Sequence, residues 1–365
     1  MVDYQQRIKE LEEELSKTPY NKRTQHHIGL LKAKIARLRE QDKARSTKSG
    51  KTEGYSVRKT GDATVIMIGF PSVGKSTLLN ALTNANSEVA NYDFTTLKVV
   101  PGLLEYRYAK IQILDMPGIV HGAASGRGRG KEVLAVMRNA DLVLVLVDSN
   151  YPRHYKAILK EIYDSDLRLN QEKPDVKIKK KPRGGISIGS TVKLSKMDKK
   201  TAQSILQEFR INNADVVIRT DIDIDQFIDV IEGNRKYTPS ITVITKIDSV
   251  SKKRVKGLVS MLKPDLMVSA ENGMGIDKLK EKIYNSLYFI RIFCKQVNKK
   301  PDMNEPLILR KPVTIATMCD KLHRDFLDNF KYARVWGSSA KFAGQRFNNT
   351  RHILKDKDIV ELHMR

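Results

Sequence analysis

The run Gly69-Phe70-Pro71-Ser72-Val73-Gly74-Lys75-Ser76 matches the pattern G-x-x-x-x-G-K-[ST]. Glycines at 69 and 74 let a short loop turn its backbone N–H groups toward phosphate oxygens, with Lys75 placed to reach the β- and γ-phosphates. The helix expected to follow adds the positive end of its dipole, and the Ser76 hydroxyl suits a magnesium ion. Gly69, Pro71, Ser72, Val73, Gly74 and Thr77 complete the predicted phosphate-binding set. Further along, Asp115-Met116-Pro117-Gly118 supplies a D-x-x-G. Asp115 is expected to hold magnesium through water, and the Gly118 amide to sense the γ-phosphate. In Thr245-Lys246-Ile247-Asp248, Asp248 can accept hydrogen bonds from N1 and N2 of guanine, a donor pattern adenine lacks. The aliphatic stem of Lys246 can cover the base. In Ser269-Ala270-Glu271 the Ala270 amide is expected to meet guanine O6.

Between the first two motifs lies Phe94-Thr95-Thr96-Leu97. Thr96, 20 residues after Ser76, is the expected switch threonine that completes the magnesium shell in the triphosphate state, with Thr95 as the alternative. Lys75, Thr96 and Gly118 form the candidate catalytic set; Ser76, Thr96 and Asp115 form the candidate magnesium set. Many enzymes of this kind carry a water-orienting glutamine directly after D-x-x-G, but this chain has Ile119, which cannot position water. The loop continues with glycines at 122, 126, 128 and 130, interleaved with Arg127 and Arg129. Slow unaided hydrolysis is expected, with a partner, a monovalent cation or another residue completing the site. His121 reads as a loop residue rather than a base.

Each motif needs a strand to deliver it. Residues 63–68 (ATVIMI) lead into the first loop, and an apolar helix over 76–82 leaves it. Residues 111–114, 142–147, 241–244 and 266–268 are further apolar runs, each just before a motif or a turn. Runs apolar on both faces and separated by helical segments predict a parallel sheet covered on both sides. The stretch between Val147 and Ile241 is far too long for one crossover, so a small α+β insert is expected there. It reads as helices over 155–164, 199–212 and 224–231, a strand over 216–219, and a basic run, KIKKKPRGG, over 177–185. That run is the best phosphate-contact candidate of the insert, with a solvated loop as the alternative. At the N-terminus, Ile8, Leu11 and Leu15 mark one helix and Leu31, Ile35 and Leu38 another, with Thr18-Pro19 between them. They predict a helical hairpin, set apart as an appendage by a polar linker over 46–54. After Leu287, short strands over 307–309, 313–315 and 359–362 and a helix over 318–329 predict a third unit. Trp336 reads as partly buried packing more than as a base-stacking platform. The expected boundaries are 1–60, 61–154, 155–237, 238–290 and 291–365.

The chain has 365 residues, is 40% hydrophobic and carries a formal net charge of +24. That length supplies ordinary cores for two or three domains. From Lys17 to Lys59 there are 13 Lys or Arg against three acids, so the charge is clustered, and an anionic polymer is the expected partner. Cys294 and Cys319 stand far apart in no metal-ligand spacing, which argues against a zinc or redox site and for two reduced cysteines. No stretch approaches the roughly 18 apolar residues of a membrane span. A cytoplasmic protein without a membrane partner is expected.

Taken together, GFPSVGKST, YDFTTL, ILDMPGIVHGAASGRGRGKEVLAVMRNADLVLVLVD and NADVVIRTDIDIDQFIDVIEGNRKY closely resemble the developmentally regulated GTP-binding proteins of the Obg-like group. NKRTQHHIGLLKAKIARLRE and HRDFLDNFKYARVWGSSAKFAGQRF extend the likeness to both ends, and the length looks more like the archaeal branch. The resemblance implies an α/β P-loop GTPase core with an N-terminal helix-turn-helix region. It also implies an insert like domain 2 of a small-subunit ribosomal protein and a C-terminal TGS domain of β-grasp type. The implied setting is the ribosome or its RNA; GTP or GDP with Mg2+ is the ligand the motifs already call for, and a regulatory protein is a partner that Ile119 calls for. Some relatives use K+, often with an Asn in the phosphate loop; Ser72 holds that position here. Thr245 stands where Asn is commoner, a departure that bears on a tie to the phosphate loop but not on guanine recognition by Asp248.

Two readings follow. One is a GTP-hydrolysing switch acting in translation; the other is an RNA-binding scaffold with a mainly structural guanine nucleotide. They diverge on turnover and on nucleotide-dependent ribosome affinity. A related ATPase branch is opposed by Asp248, the guanine-reading carboxylate.

Overall fold

The computed structural model describes residues 4–47, 61–83, 100–116 and 136–365. They form two compact units, one of residues 4–47 and 162–237, the other of 61–83, 100–116, 136–161 and 238–365.

Helices α1 (Tyr4–Lys17) and α2 (Gln25–Thr47) form the predicted hairpin. Tyr4, Ile8, Leu11 and Leu15 recur on one half-buried face of α1, as their spacing requires. The chain reverses after Thr18-Pro19, where Asn21 Oδ1 accepts from the backbone N–H groups of Arg23 and Thr24 at 2.9 and 3.0 Å and so starts α2. Arg39–Glu12 and His27–Glu14 contacts join the two helices.

The second unit opens with β1 (Ala63–Ile68), buried along its whole length, then α3 (Lys75–Leu82). Strands β2 (Val100–Tyr106) and β3 (Ala109–Asp115) make an antiparallel hairpin, and β3 and β4 (Leu142–Asp148) flank β1 in parallel. Helix α4 (His154–Asp164) leads on into the insert.

The insert contains β5 (Leu167–Leu169), β6 (Val176–Lys180), β7 (Ile186–Ser190), α5 (Lys199–Glu208), β8 (Ala214–Ile218), α6 (Ile224–Glu232) and β9 (Lys236–Thr238). Its sheet has the order β6-β8-β7, with β6 antiparallel and β7 parallel to β8. Asp198 caps α5, and Asp223 with Gln226 forms a capping box on α6. Residues 177–180 of the basic run are strand, because they complete the ladder with β8.

The hairpin is not a separate appendage. Ala33 of α2 is fully buried in the same core as Ala202, Ile205, Leu206, Val216, Ile218 and Phe227 of the insert. Small residues at 29, 33 and 36 let α2 approach closely: a Cβ on Gly29 would stand 2.8 Å from Thr201 Cγ2. Lys32–Asp225 and Arg37–Glu208 ion pairs border that seam at 2.6 and 3.1 Å. At the root of the insert β5 pairs with β9, and Arg168 makes a buried two-pronged contact with Asp229, at 2.6 and 2.8 Å. Arg235 joins Asp166, Asp229 and Glu232, and the Tyr163 ring lies 3.7 Å from the Arg168 guanidinium carbon. Burial there pushes the Tyr163 phenol up to about 12 and the Glu232 carboxyl up to about 6.

The core resumes with β10 (Ser240–Thr245), α7 (Lys252–Leu262), β11 (Leu266–Met267) and α8 (Ile276–Ser286). The finished sheet has the order β11-β10-β4-β1-β3-β2, parallel except for β2. Strand order turns back at β1, so the crevice beyond its C-terminal end is the expected ligand site.

The C-terminal region contains β12 (Phe289–Lys295), β13 (Leu307–Arg310), β14 (Val313–Thr314), α9 (Ile315–Leu322), α10 (Arg324–Asp328), β15 (Phe330–Trp336), β16 (Gln345–Phe347), β17 (Ile353–Leu354) and β18 (Ile359–Met364). A mixed sheet, β13-β12-β18-β15-β16, packs against α9 through Ile290, Ile292, Met318, Val335 and Val360. The single helix expected over 318–329 is two, divided at His323, whose extended backbone breaks the helical path. Trp336 is packing, with Gly344 against its indole and Lys295 Nζ 4.9 Å from the ring centre. Leu287, Phe289 and Ile308 belong to the core of the central sheet, and Arg310 pairs with Asp141 at 2.7 Å.

Candidate functional site

The phosphate loop leaves β1 and turns into α3 at the C-terminal edge of the sheet. Gly69 is required by close approach, since a Cβ there would lie 2.9 Å from Val73 Cγ1 and 3.0 Å from the Leu146 carbonyl oxygen. Gly74 has φ 90 and brings no capping side chain to α3, while Ser72 also adopts a positive φ of 61. Pro71, Ser72, Ser76 and Thr77 are exposed and Val73 is buried beneath them. Lys75 Nζ donates to the carbonyls of Gly69 and Phe70, each at 3.1 Å, the oxygens lining the base of the loop. Burial lowers its pKa, with the nearby Asp115 charge acting the other way.

Asp115 ends β3 beside the loop. Ser76 Oγ donates to its Oδ2 at 3.0 Å, whereas Oδ1 is buried without a hydrogen-bond partner among the described residues. Burial holds this carboxyl above the usual aspartate range, opposed by the Ser76 hydrogen bond and the Lys75 charge. An orphaned buried carboxylate oxygen next to a serine hydroxyl and a phosphate loop is a donor set that fits a hard, oxygen-seeking dication.

The guanine-reading loop follows β10. Thr245, only 4% exposed, donates from Oγ1 to the Val73 carbonyl at 2.8 Å. The departure from Asn therefore keeps a tie to the phosphate loop, made by a hydroxyl. Lys246 adds a second tie, with Nζ donating to the Ser72 carbonyl and pairing with Asp148 at 3.0 Å. Its backbone has φ 55, held by Ser149 Oγ and Ser249 Oγ, which both donate to its carbonyl at 2.8 Å. Asp148 Oδ1 also accepts from the Asn150 N–H at 2.8 Å. Asp148, Ser149, Asn150 and Ser249 were missed by the sequence reasoning. The available signal was the abrupt change from the apolar run LVLVLV over 142–147 to Asp-Ser-Asn.

Asp248 is exposed on a short 3-10 turn (Ile247–Ser249), and its carboxylate has no hydrogen bond or ion pair among the described residues. Ser269 is buried, its N–H donating to the Met274 carbonyl at 3.0 Å; Ala270 packs on the core and Glu271 is exposed. Ile247 N–H donates to the Val268 carbonyl at 3.4 Å, which joins this loop to the Asp248 turn. The structure thus gathers residues 69–77, Asp115, Thr245, Lys246, Asp248 and 269–271 at one edge of the sheet. Phe94, Thr95, Thr96, Gly118, Ile119, His121, Arg127 and Arg129 lie outside the described residues.

Among the described residues no group of three or more His, Cys, Asp and Glu side chains could hold a metal ion, and no helix is long and apolar enough to cross a membrane. Both cysteines are thiols raised in pKa by burial, Cys319 to about 11.

Residues 64–181 match the family described as 50S ribosome-binding GTPase, 183–289 the C-terminal region of that domain, and 290–364 the TGS domain. An uncharacterized GTP-binding protein of Methanocaldococcus jannaschii is 54% identical, covering 99% of this chain and 93% of its own. Developmentally-regulated G-protein 3 of Arabidopsis thaliana is 45% identical over 99% of both chains. Developmentally-regulated GTP-binding protein 2 of Homo sapiens is 43% identical over 98% of both. Among solved structures, the likeness to the G domain of T. maritima FeoB covers 61% of this chain and 98% of that one, at 20% identity and a TM-score of 0.35. Identity of this degree over nearly the whole length, on a sheet that gathers the phosphate and guanine loops at one edge, means that the chain belongs to the developmentally regulated GTP-binding protein family, P-loop GTPases with a C-terminal TGS domain.

Proposed function

We propose that this GTPase is a magnesium-dependent switch that works on the ribosome, through contacts with ribosomal RNA, and turns over slowly until a partner completes its site. The observation that carries the nucleotide half of this reading is the Ser76–Asp115 pair with its orphaned Oδ1. Ser76 and Asp115 would hold Mg2+, Asp115 through water and Thr96 joining in the triphosphate state; the ion supplies charge neutralisation for the phosphate oxygens. The N–H groups of residues 72–77 cradle the phosphates. Lys75 exchanges its two carbonyl acceptors for β- and γ-phosphate oxygens. Asp248 accepts from guanine N1 and N2, the Lys246 stem lies over the base, and the 269–271 loop meets O6. Thr245 keeps these two halves in register. The Gly118 amide senses the γ-phosphate, and Ile119 leaves the attacking water without a side chain to orient it, which is why unaided turnover is slow.

The ribosomal half rests on the +24 charge and on the description of the matched family as ribosome-binding GTPases. Ribosome co-sedimentation tests it, with GDP or a non-hydrolysable GTP analogue at two salt concentrations. Stronger binding with the GTP analogue and a steep salt dependence are expected. Equal binding in both nucleotides refutes the switch and favours the scaffold with a structural nucleotide.

A further inference from the structure

The insert's sheet has one covered face and one open face. Val176, Ile178, Ile186, Ile188, Ala214, Val216 and Ile218 point into the core that α2, α5 and α6 close. The opposite face runs across three strands in two rows: Lys177, Val217 and Gly189, then Lys179, Asp215 and Ser187. Lys177, Lys179, Ser187 and Gly189 are exposed. The loop from β6 to β7 prolongs this face with exposed Arg183, Gly184 and Gly185, and Lys180, which ends β6 in register with Ala214, is exposed at the rim where the strand meets that loop. Asn213 fixes that loop by accepting from the N–H groups of Gly185 at 2.8 Å and Lys181 at 3.0 Å. It is therefore a held surface.

Charge is uneven along the insert. Residues 172–200 contain ten Lys or Arg and three acids, and residues 201–237 contain four and seven. On the helical side the acids are answered within the unit: Asp225 by Lys32, Glu208 by Arg37, Asp229 by Arg168 and Arg235. On the sheet side Lys181 pairs with Asp215 and Arg219 with Asp175. Lys177, Lys179, Lys180 and Arg183 have no carboxylate partner among the described residues. Edge-strand lysines also discourage sheet extension, but Arg183 lies beyond the ladder and needs another account.

The two rows contain no aromatic side chain. Proteins that read single-stranded RNA on a sheet stack bases on rings, while duplex RNA is held through its backbone and shape. We propose that Lys177, Lys179, Lys180 and Arg183 form a docking surface for the phosphate backbone of double-stranded RNA, held without sequence preference. The proposal rests on the reading that this GTPase works on RNA.

The test uses the full chain and a blunt RNA duplex of unrelated sequence, with affinity followed across salt concentrations. Replacing all four residues (K177Q, K179Q, K180Q, R183Q) should lower affinity about tenfold or more and reduce the salt slope by about two to four. GTP binding should stay as in the parent, and K177R with K179R should keep duplex affinity. A quadruple variant with the parental affinity and slope overturns the docking surface alone. A single strand of equal length that competes as well as the duplex overturns the duplex assignment. A parent chain that binds neither RNA overturns the RNA reading itself.

Discussion

Replacing Thr245 by Val keeps the shape of a nearly buried side chain and removes one donor. The Val73 carbonyl then faces an apolar methyl where a hydroxyl stood at 2.8 Å. A buried acceptor left without a donor costs about 1–3 kcal/mol. In the nucleotide-free chain the phosphate loop can shift to recover water, so most of that cost falls on the bound state, where the loop is held. A loss of about 1–2 kcal/mol corresponds to a factor of about 5–30. Stopped-flow dissociation of a fluorescent GDP analogue measures it directly. T245V should release GDP faster by that factor, and T245S, which restores the hydroxyl, should return to the parental rate. If T245V released GDP at the parental rate, or T245S as fast as T245V, the tie between the loops would have no part in nucleotide retention.

Asp248→Asn replaces an acceptor by a donor at the guanine edge; two charge-assisted hydrogen bonds at about 1.5–3 kcal/mol each put the loss of GTP affinity at about 10²–10⁴-fold. Competition binding should show xanthosine triphosphate, with an acceptor at C2, preferred instead. Arg168→Met leaves the buried Asp229 with Arg235 alone and should cost about 3 kcal/mol, near the lower end for broken buried pairs, seen as earlier urea unfolding and faster amide exchange in the insert. Burial raises Glu232 from 4.5 to about 6, so its contribution to stability is full below the unfolded value and is lost as pH rises through about 6. Unfolding followed from pH 4 to pH 7 should therefore show a falling difference between the parent and E232Q, complete near pH 7; a difference that rises with pH would contradict it.

The central sheet was legible because its strands are buried on both faces, so residues 63–68 and 142–147 have few polar interruptions. The edge strand β2 was not. Its sequence, VPGLLEY, contains a proline and a glycine that an edge tolerates and a central strand does not. The motif residues announced their chemistry, since few other spacings serve a phosphate loop. What they could not announce was their support: Ser149 and Ser249 matter through the left-handed backbone of Lys246, a conformation that composition does not reveal. The same holds for Gly29, Ala33 and Ala36. Leucines drew the eye to one face of α2, while the small residues that let it dock look like fillers until a neighbour is present.

The Arg310–Asp141 pair joins the TGS domain to the beginning of β4, and Asp141 also accepts from the Thr64 N–H at the beginning of β1. Six residues of buried strand then run to the phosphate loop, a length of about 20 Å at about 3.3 Å per residue. That strand behaves as a ruler. The shared core at Leu287, Phe289 and Ile308 adds apolar packing to the ion pair at that far end. A force applied to that domain would therefore reach β1 and β4 at their beginnings, the ends opposite the phosphate loop.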